Sequence, residues 1–128
     1  MLSSLLPSSS SDRPRFKTQY SYSARLVESS RIRDKFSDRM PIICEKAPNQ
    51  KTLPSIDKIK YLVPADLTVG QFMYVIRKRL KLPAEQALFF IINGNIPSSA
   101  DMMSKIYSDD KDQDGFLYIG YMAENTFG

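Results

Sequence analysis

Residues 67–83 read LTVGQFMYVIRKRLKLP, and the fold turns on this stretch. Thr68 and Gln71 stand three apart, the spacing of a capping box, and Leu67 with Phe72 can close a hydrophobic staple across the same helix start. Val69, Phe72, Met73, Ile76 and Leu80 recur at helical spacing and form one apolar stripe. Arg77, Lys78, Arg79 and Lys81 gather near the C-terminal end, where cations offset the helix dipole, and Pro83 ends the run. Gly70 costs little in a first turn. A helix with a single apolar face has to lie on a second layer.

On both sides of this helix the period drops towards two. Upstream, RMPIICEKAP carries a β-rich run from Met40 to Cys44, and KIKYLVP from Lys58 alternates before compacting to Tyr61, Leu62 and Val63, with Pro64 as its stop. The turn-rich NQKTLPS between them suits an antiparallel pair. Downstream, ALFFIIN at 87–93 is an unbroken apolar run, which predicts a central strand covered on both faces. NGN at 93–95 turns the chain. SSADMMSKIY predicts a short helix capped by Ser98 or Ser99. FLYIGY is the last strand, with Leu117 and Ile119 facing one way and Phe116 and Tyr118 the other.

Ahead of all this, FKTQYSYSARLVESSRIRDKF places Phe16 and Tyr20 four apart. Tyr22, Leu26, Ser29, Ile32 and Phe36 follow at helical spacing, so two short amphipathic helices are expected. The order of elements predicts an α+β fold, a β-grasp (ubiquitin-like) with a four-stranded mixed sheet and two extra N-terminal helices. The expected divisions are a disordered Ser/Pro-rich extension at 1–15, a docked helical pair at 16–36, the core at 37–121 and a flexible tail at 122–128.

With 128 residues and 42% hydrophobic content the chain can bury one core without staples. The single Cys44 has no internal disulfide partner, and a reducing compartment is the default. No run approaches the roughly 18 apolar residues of a membrane span, and MLSSLLPSSSSDRPRF is too short in apolar residues for a secretory signal; its serines and arginines also fit a weak transit peptide. Histidine is absent altogether. Ser-His and Cys-His nucleophile pairs, His-ligated zinc and a base titrating near neutrality are therefore excluded, and no enzyme, cofactor or metal is expected. The net charge of +4 is uneven. Residues 1–82 hold 16 Lys/Arg and 7 Asp/Glu, or +9, and residues 83–128 hold 2 and 7, or −5. Such a dipole favours an acidic partner at the basic end.

Four local patterns bear on function. DKDQDG at 110–115 begins like a calcium loop, but its twelfth position is Tyr121 rather than a bidentate Glu and a strand follows, so a solvated hairpin turn is expected. Cys44 sits mid-strand among apolar neighbours and reads as a small buried hydrophobe. RKRLK lies where the helix dipole wants cations, and no nucleic-acid partner is expected. KIKYLVP reads as an edge strand whose backbone groups can accept an extended peptide, with Lys58 and Lys60 guarding it against aggregation.

From Phe16 to Gly128 the chain resembles the autophagy ubiquitin-like modifiers, the GABARAP and light-chain-3 group. The resemblance rests on RIRDKFSDRMPIICEKAP, KYLVPADLTVGQFMYVIRKRL, ALFFIINGNIP, DGFLYIGY and the closing TFG. It implies that the carboxylate of Gly128 is adenylated by an E1-like enzyme, passed as a thioester to an E2-like one and joined to the amine of phosphatidylethanolamine. A cytoplasmic protein would so become bound to autophagosomal membranes. Glycine suits such a tail because it lacks a Cβ.

The resemblance also implies capture of cargo receptors and machinery through aromatic-x-x-aliphatic peptides. The aromatic pocket would use Glu28, Ile32, Pro41, Lys60, Leu62 and Phe116, and the aliphatic pocket Tyr61, Val63, Pro64, Leu67, Phe72 and Val75. Arg39, Lys58 and Arg79 would meet acidic flanks of the peptide. Two departures stand out: a long N-terminal extension, and a PNQKTLPSID connection one residue longer than in GABARAP proteins. Relatives often carry residues beyond the glycine that a cysteine protease removes; here the sequence stops at Gly128, either as encoded or after processing, and the same protease would act in delipidation. A peptide-binding or microtubule-associated adaptor that is never conjugated is the alternative reading.

Overall fold

The computed structural model describes residues 15–123; the serine-rich extension up to residue 14 and the tail from 124 to Gly128 lie outside the described residues. Its elements follow in the order α1 (Phe16–Gln19), α2 (Tyr22–Lys35), β1 (Arg39–Lys46), β2 (Lys60–Pro64), α3 (Val69–Leu80), β3 (Phe89–Ile91), α4 (Met103–Asp110) and β4 (Leu117–Met122). The strands form one four-stranded sheet in the order β2-β1-β4-β3. β1 pairs antiparallel with β2 and parallel with β4, and β3 closes antiparallel on β4. This is the expected mixed sheet of a ubiquitin-like fold.

The capping box forms as the spacing predicts: Thr68 Oγ1 accepts the Gln71 N–H at 3.1 Å and Gln71 Oε1 accepts the Thr68 N–H at 2.9 Å. Val69, Phe72, Ile76 and Leu80 are buried against the sheet, where Phe72 meets Tyr61 edge-on at 5.5 Å and Phe90 at 5.7 Å. The helix ends three residues before Pro83. Lys81 takes the left-handed conformation, and its N–H and that of Leu82 return to the last-turn carbonyls.

The expected serine cap of the following helix is not made. α4 starts at Met103, and the Ser98 hydroxyl accepts only from Ala100 N–H in the turn before it. That turn serves α3 instead, because the Ser99 and Asp101 carbonyls accept the otherwise orphaned N–H groups of Gly70 and Val69. A Cβ on Gly70 would lie 3.2 Å from the Ser99 carbonyl oxygen, which explains glycine in this first turn.

The apolar run 87–93 is also placed differently from the expectation. Only Phe89–Ile91 is strand, and it lies at the sheet edge rather than its centre. The central strands are β1 and β4, buried on both faces: Ile42, Cys44, Leu117 and Ile119 join the α3 side, while Ile43 and Phe116 join Phe16 on the other. Pro41 fits a central strand because β4 pairing begins one residue later, at Ile42 with Leu117. Asn93 and Gly94 both have positive φ, as a tight primed turn requires. β4 continues one residue past Tyr121, since Met122 pairs with Phe89 and is buried. Cys44 is fully buried, and burial raises its thiol pKa, so it is inert packing.

α2 docks by only part of the expected stripe, through Ser29 and Ile32. Tyr22, Leu26 and Phe36 are exposed, and Leu26 and Val27 line an outer groove of about 600 Å³ with Ser30, Arg31, Asp34 and Lys35. The fully buried residue is Ser29, 2% exposed, set against the start of β4. Gly115 there has φ +91°, and a Cβ on it would fall 2.3 Å from Ser29 Oγ. Gly115→Ala is therefore expected to cost about 2–4 kcal/mol, from backbone strain and overpacking together. Urea unfolding measures it; a loss under about 0.5 kcal/mol would mean that α2 does not press on the backbone at this point.

Candidate functional site

Among the described residues β2 has β1 on one side and no strand on the other. Cys44 N–H donates to the Ile59 carbonyl at 2.8 Å, and Ala65 N–H to the Asp38 carbonyl at 3.0 Å. In an antiparallel ladder bonded pairs alternate, so Tyr61 and Val63 also turn their backbone groups toward β1. Lys60 and Leu62 consequently direct their N–H and C=O groups outward. The same alternation splits the side chains: Lys60 and Leu62 lie opposite Ile43 and Pro41 on the α2 side, and Tyr61 and Val63 lie opposite Ile42 and Met40 on the α3 side. One short strand thus presents an open edge between two apolar clusters.

On the α2 side the six residues named for an aromatic pocket share one region. Glu28 and Lys60 form an ion pair between α2 and β2. Ile32, one turn further along α2, packs on the cluster of Phe16, Ile43 and Phe116. Pro41 and Phe116 are fully buried, so they form floor, while Leu62 is half-buried at the edge.

The residues named for an aliphatic pocket are less uniform. Tyr61, Val63 and Phe72 are buried in the main core, with Leu67 at its margin. Val75, 41% exposed, is the accessible member of the set on α3 and lines a shallow depression of about 360 Å³ with Tyr74, Lys78 and Arg79. Pro64 is paired with Arg39, which puts it at the strand end on the α2 side, away from Tyr61 and Val63. The Tyr61 hydroxyl donates to the Lys58 carbonyl at 2.5 Å, and burial raises the phenol's pKa.

The three basic residues are already engaged within the chain. Arg39 Nη1 donates to the outward Leu62 carbonyl at 3.2 Å. Lys58 Nζ sits 5.2 Å from the Tyr61 ring centre. Arg79 Nε donates to Asp57 Oδ1 at 2.9 Å, and this hydrogen bond holds the Asp57 carboxyl below its ordinary range. Among the described residues no group of His, Cys, Asp and Glu is arranged to hold a metal.

Sequence reasoning missed the residues that hold the α2 wall in place. The loop expected to be a solvated turn is where the helical pair docks. Lys17 pairs with Asp112 at 2.6 Å, the Tyr22 hydroxyl donates to the Gln113 carbonyl at 3.2 Å, and Arg25 Nη1 donates to Asp114 Oδ2 at 2.5 Å. Asp114 is 0% exposed. It also accepts the Tyr118 hydroxyl at 2.5 Å and the Phe116 N–H at 2.8 Å, while its carbonyl accepts the Ser29 hydroxyl at 2.5 Å. Burial, then the bond to Asp114, raises the Tyr118 phenol pKa, so it stays a donor. The available signal was the spacing of Arg25, Ser29 and Ile32 at i, i+4, i+7, which puts two polar side chains on the same face as the apolar Ile32.

Residues 24–128 match the family model described as autophagy protein Atg8, ubiquitin like. The chain is similar to Autophagy-related protein 8 of Saccharomyces cerevisiae, with 58% identity over 113 residues that cover 88% of this chain and 96% of that protein. It is 57% identical to Autophagy-related protein 8c of Arabidopsis thaliana over 113 residues, 88% of this chain and 94% of the relative. The crystal structure of Trypanosoma brucei ATG8 superposes with a TM-score of 0.82 at 44% identity, covering 91% of this chain and all 100% of that one.

Removing Asp114 leaves the Arg25 guanidinium, itself only 10% exposed, without its carboxylate partner. Asp114→Ala is expected to cost about 3–5 kcal/mol, and Arg25→Met in the Asp114→Ala background to recover part of it. Denaturant titrations of the four proteins of the cycle measure this; additive losses would show that the two side chains do not act together. Acid should loosen the same dock. Burial opposes ionisation of Asp112, but its bond from Lys17 outweighs that and lowers its pKa. That contribution is complete above about pH 4 and fades as pH falls through the lowered value.

Proposed function

Because the chain belongs to the Atg8 family of autophagy ubiquitin-like proteins, we propose that it is a modifier conjugated through Gly128 to phosphatidylethanolamine. In this reading the Gly128 carboxylate displaces pyrophosphate from ATP on an E1-like enzyme. A thiolate of that enzyme displaces AMP, the acyl group passes to an E2-like thiol, and the lipid amine releases that thiol as the amide forms. The body of the protein is the substrate throughout. Among the described residues no helix is long and apolar enough to cross a membrane. Two acyl chains supplied by the lipid suffice for stable anchoring of a cytoplasmic protein on an autophagosomal membrane. A cysteine protease that cleaves after Gly128 would reverse it.

The same reading makes β2 the receptor for aromatic-x-x-aliphatic peptides carried by cargo receptors and autophagy machinery. The observation that carries it is the edge itself. Backbone N–H and C=O groups of Lys60 and Leu62 face outward, with Ile32, Pro41 and Phe116 on one side and Val63, Leu67, Phe72 and Val75 on the other. A peptide strand added there sends alternate side chains to opposite sides, which suits two anchors separated by two free positions. Arg39, Lys58 and Arg79 border the strand with positive charge, favouring acidic flanks and faster encounter.

Two measurements test the two halves separately. Leu62→Arg is expected to weaken a labelled aromatic-x-x-aliphatic peptide by about tenfold or more, equivalent to about 1.4 kcal/mol, without unfolding the domain. Unchanged affinity would remove the assigned pocket. Deletion of Gly128 is expected to abolish the lipid adduct formed with the conjugating enzymes on liposomes, read by mass spectrometry. An adduct that persists would place the linkage elsewhere; peptide binding with no adduct in the intact chain would favour the unconjugated adaptor.

A further inference from the structure

The connection from β1 to β2 does more than span a gap. Leu53 and Ile56 are buried in the main core and staple it down. The Tyr121 hydroxyl donates to the Pro54 carbonyl at 2.7 Å, Ala47 N–H donates to the Tyr121 carbonyl at 2.9 Å, and Lys46 Nζ donates to the Leu53 carbonyl at 3.0 Å. The loop is therefore fixed to the end of β4 from both sides. Asn49, at φ 66°, makes the turn that brings Gln50 over that end. Gln50 Nε2 donates to Thr52 Oγ1 at 2.8 Å, which leaves Oε1 facing the chain's exit, where it accepts the Ala123 N–H at 2.9 Å. Ala123 lies beyond the last ladder pair, Phe89 with Met122, and is nevertheless 5% exposed.

We propose that Gln50 is a positioning residue for conjugation: its side-chain carbonyl clasps the Ala123 amide and fixes the point from which the terminal arm leaves the body. This rests on the conjugation reading above. Gly128 follows Ala123 by five residues, which reach at most about 18 Å. With so short an arm, the position and direction of its root decide whether Gly128 meets an activating site while the body is docked. Unfastening Ala123 adds one freely rotating residue, and ordering one residue is worth about tenfold in an equilibrium constant. The loss should appear in productive docking of the tail and not in the chemical step.

The test is thioester formation on the E1-like enzyme with the full chain, comparing wild type, Gln50→Ala and Gln50→Glu, together with amide exchange at Ala123 by NMR. Gln50→Ala is expected to raise KM about three- to tenfold with kcat unchanged, and to speed Ala123 exchange at least about tenfold while leaving the Tyr121 amide protected. Gln50→Glu keeps an acceptor oxygen and should restore both. A KM within about twofold of wild type in Gln50→Ala, a loss confined to kcat, or Gln50→Glu behaving like the alanine variant would overturn the proposal. Ala123 exchange indifferent to Gln50→Ala would overturn the clasp alone, with conjugation intact. Wild type that is never charged would overturn the conjugation reading and this inference with it.

Discussion

Two strands that pair in parallel cannot be joined by a tight turn, so the chain between β1 and β4 has to leave the sheet and return. Here that excursion contains β2, α3, β3 and α4, and its helices lie over one face of the sheet. Both central strands carry apolar side chains on both faces, so the opposite face needs a cover as well, which α1 and α2 supply. With β1 and β4 in the middle, β2 is left at the margin, and its alternation divides Lys60 and Leu62 from Tyr61 and Val63. The open edge between two apolar clusters is a consequence of the central parallel pair.

The two covers are attached by different physics. α3 is held by aromatic and aliphatic packing, with Phe72 between Tyr61 and Phe90. α2 is held by polar contacts that converge on one buried carboxylate, Asp114, and by Ile32, with Phe16 of α1 packed beside Phe116 as a second apolar pin. A buried network of this kind is sound only when complete. Among the described residues no buried side-chain nitrogen or oxygen lacks a partner. Polar attachment ties the position of Glu28 and Ile32, and so one wall of the site, to a specific geometry rather than to a greasy contact that could slide.

Much of this was legible. The α3 stripe and its capping box, the NGN turn and the two-faced β4 each follow from spacing that only one element type satisfies. Illegible features were those in which tertiary partners override a local rule. An apolar run such as 87–93 fits a central strand as well as an edge, and only pairing decides between them. Ser98 and Ser99 look like caps for α4, yet the segment satisfies the start of α3. DKDQDG has the composition of a surface loop, and nothing local marks Asp114 as the acid that goes inside. For the site, strand parity in KIKYLVP and the core position of Phe72 were readable; the depth of Tyr61 and Val63 in the core, and the pairing of Arg79 with Asp57, were not.

The account depends on a peptide joining the sheet through the backbone of β2. Amide exchange, read residue by residue on the protein with and without a bound aromatic-x-x-aliphatic peptide, addresses that directly. New protection should arise at Lys60 and Leu62, whose N–H groups face outward, with Tyr61 and Val63 already protected and unchanged. Protection gained along β3 instead, or none along β2 when the peptide is bound, would contradict it.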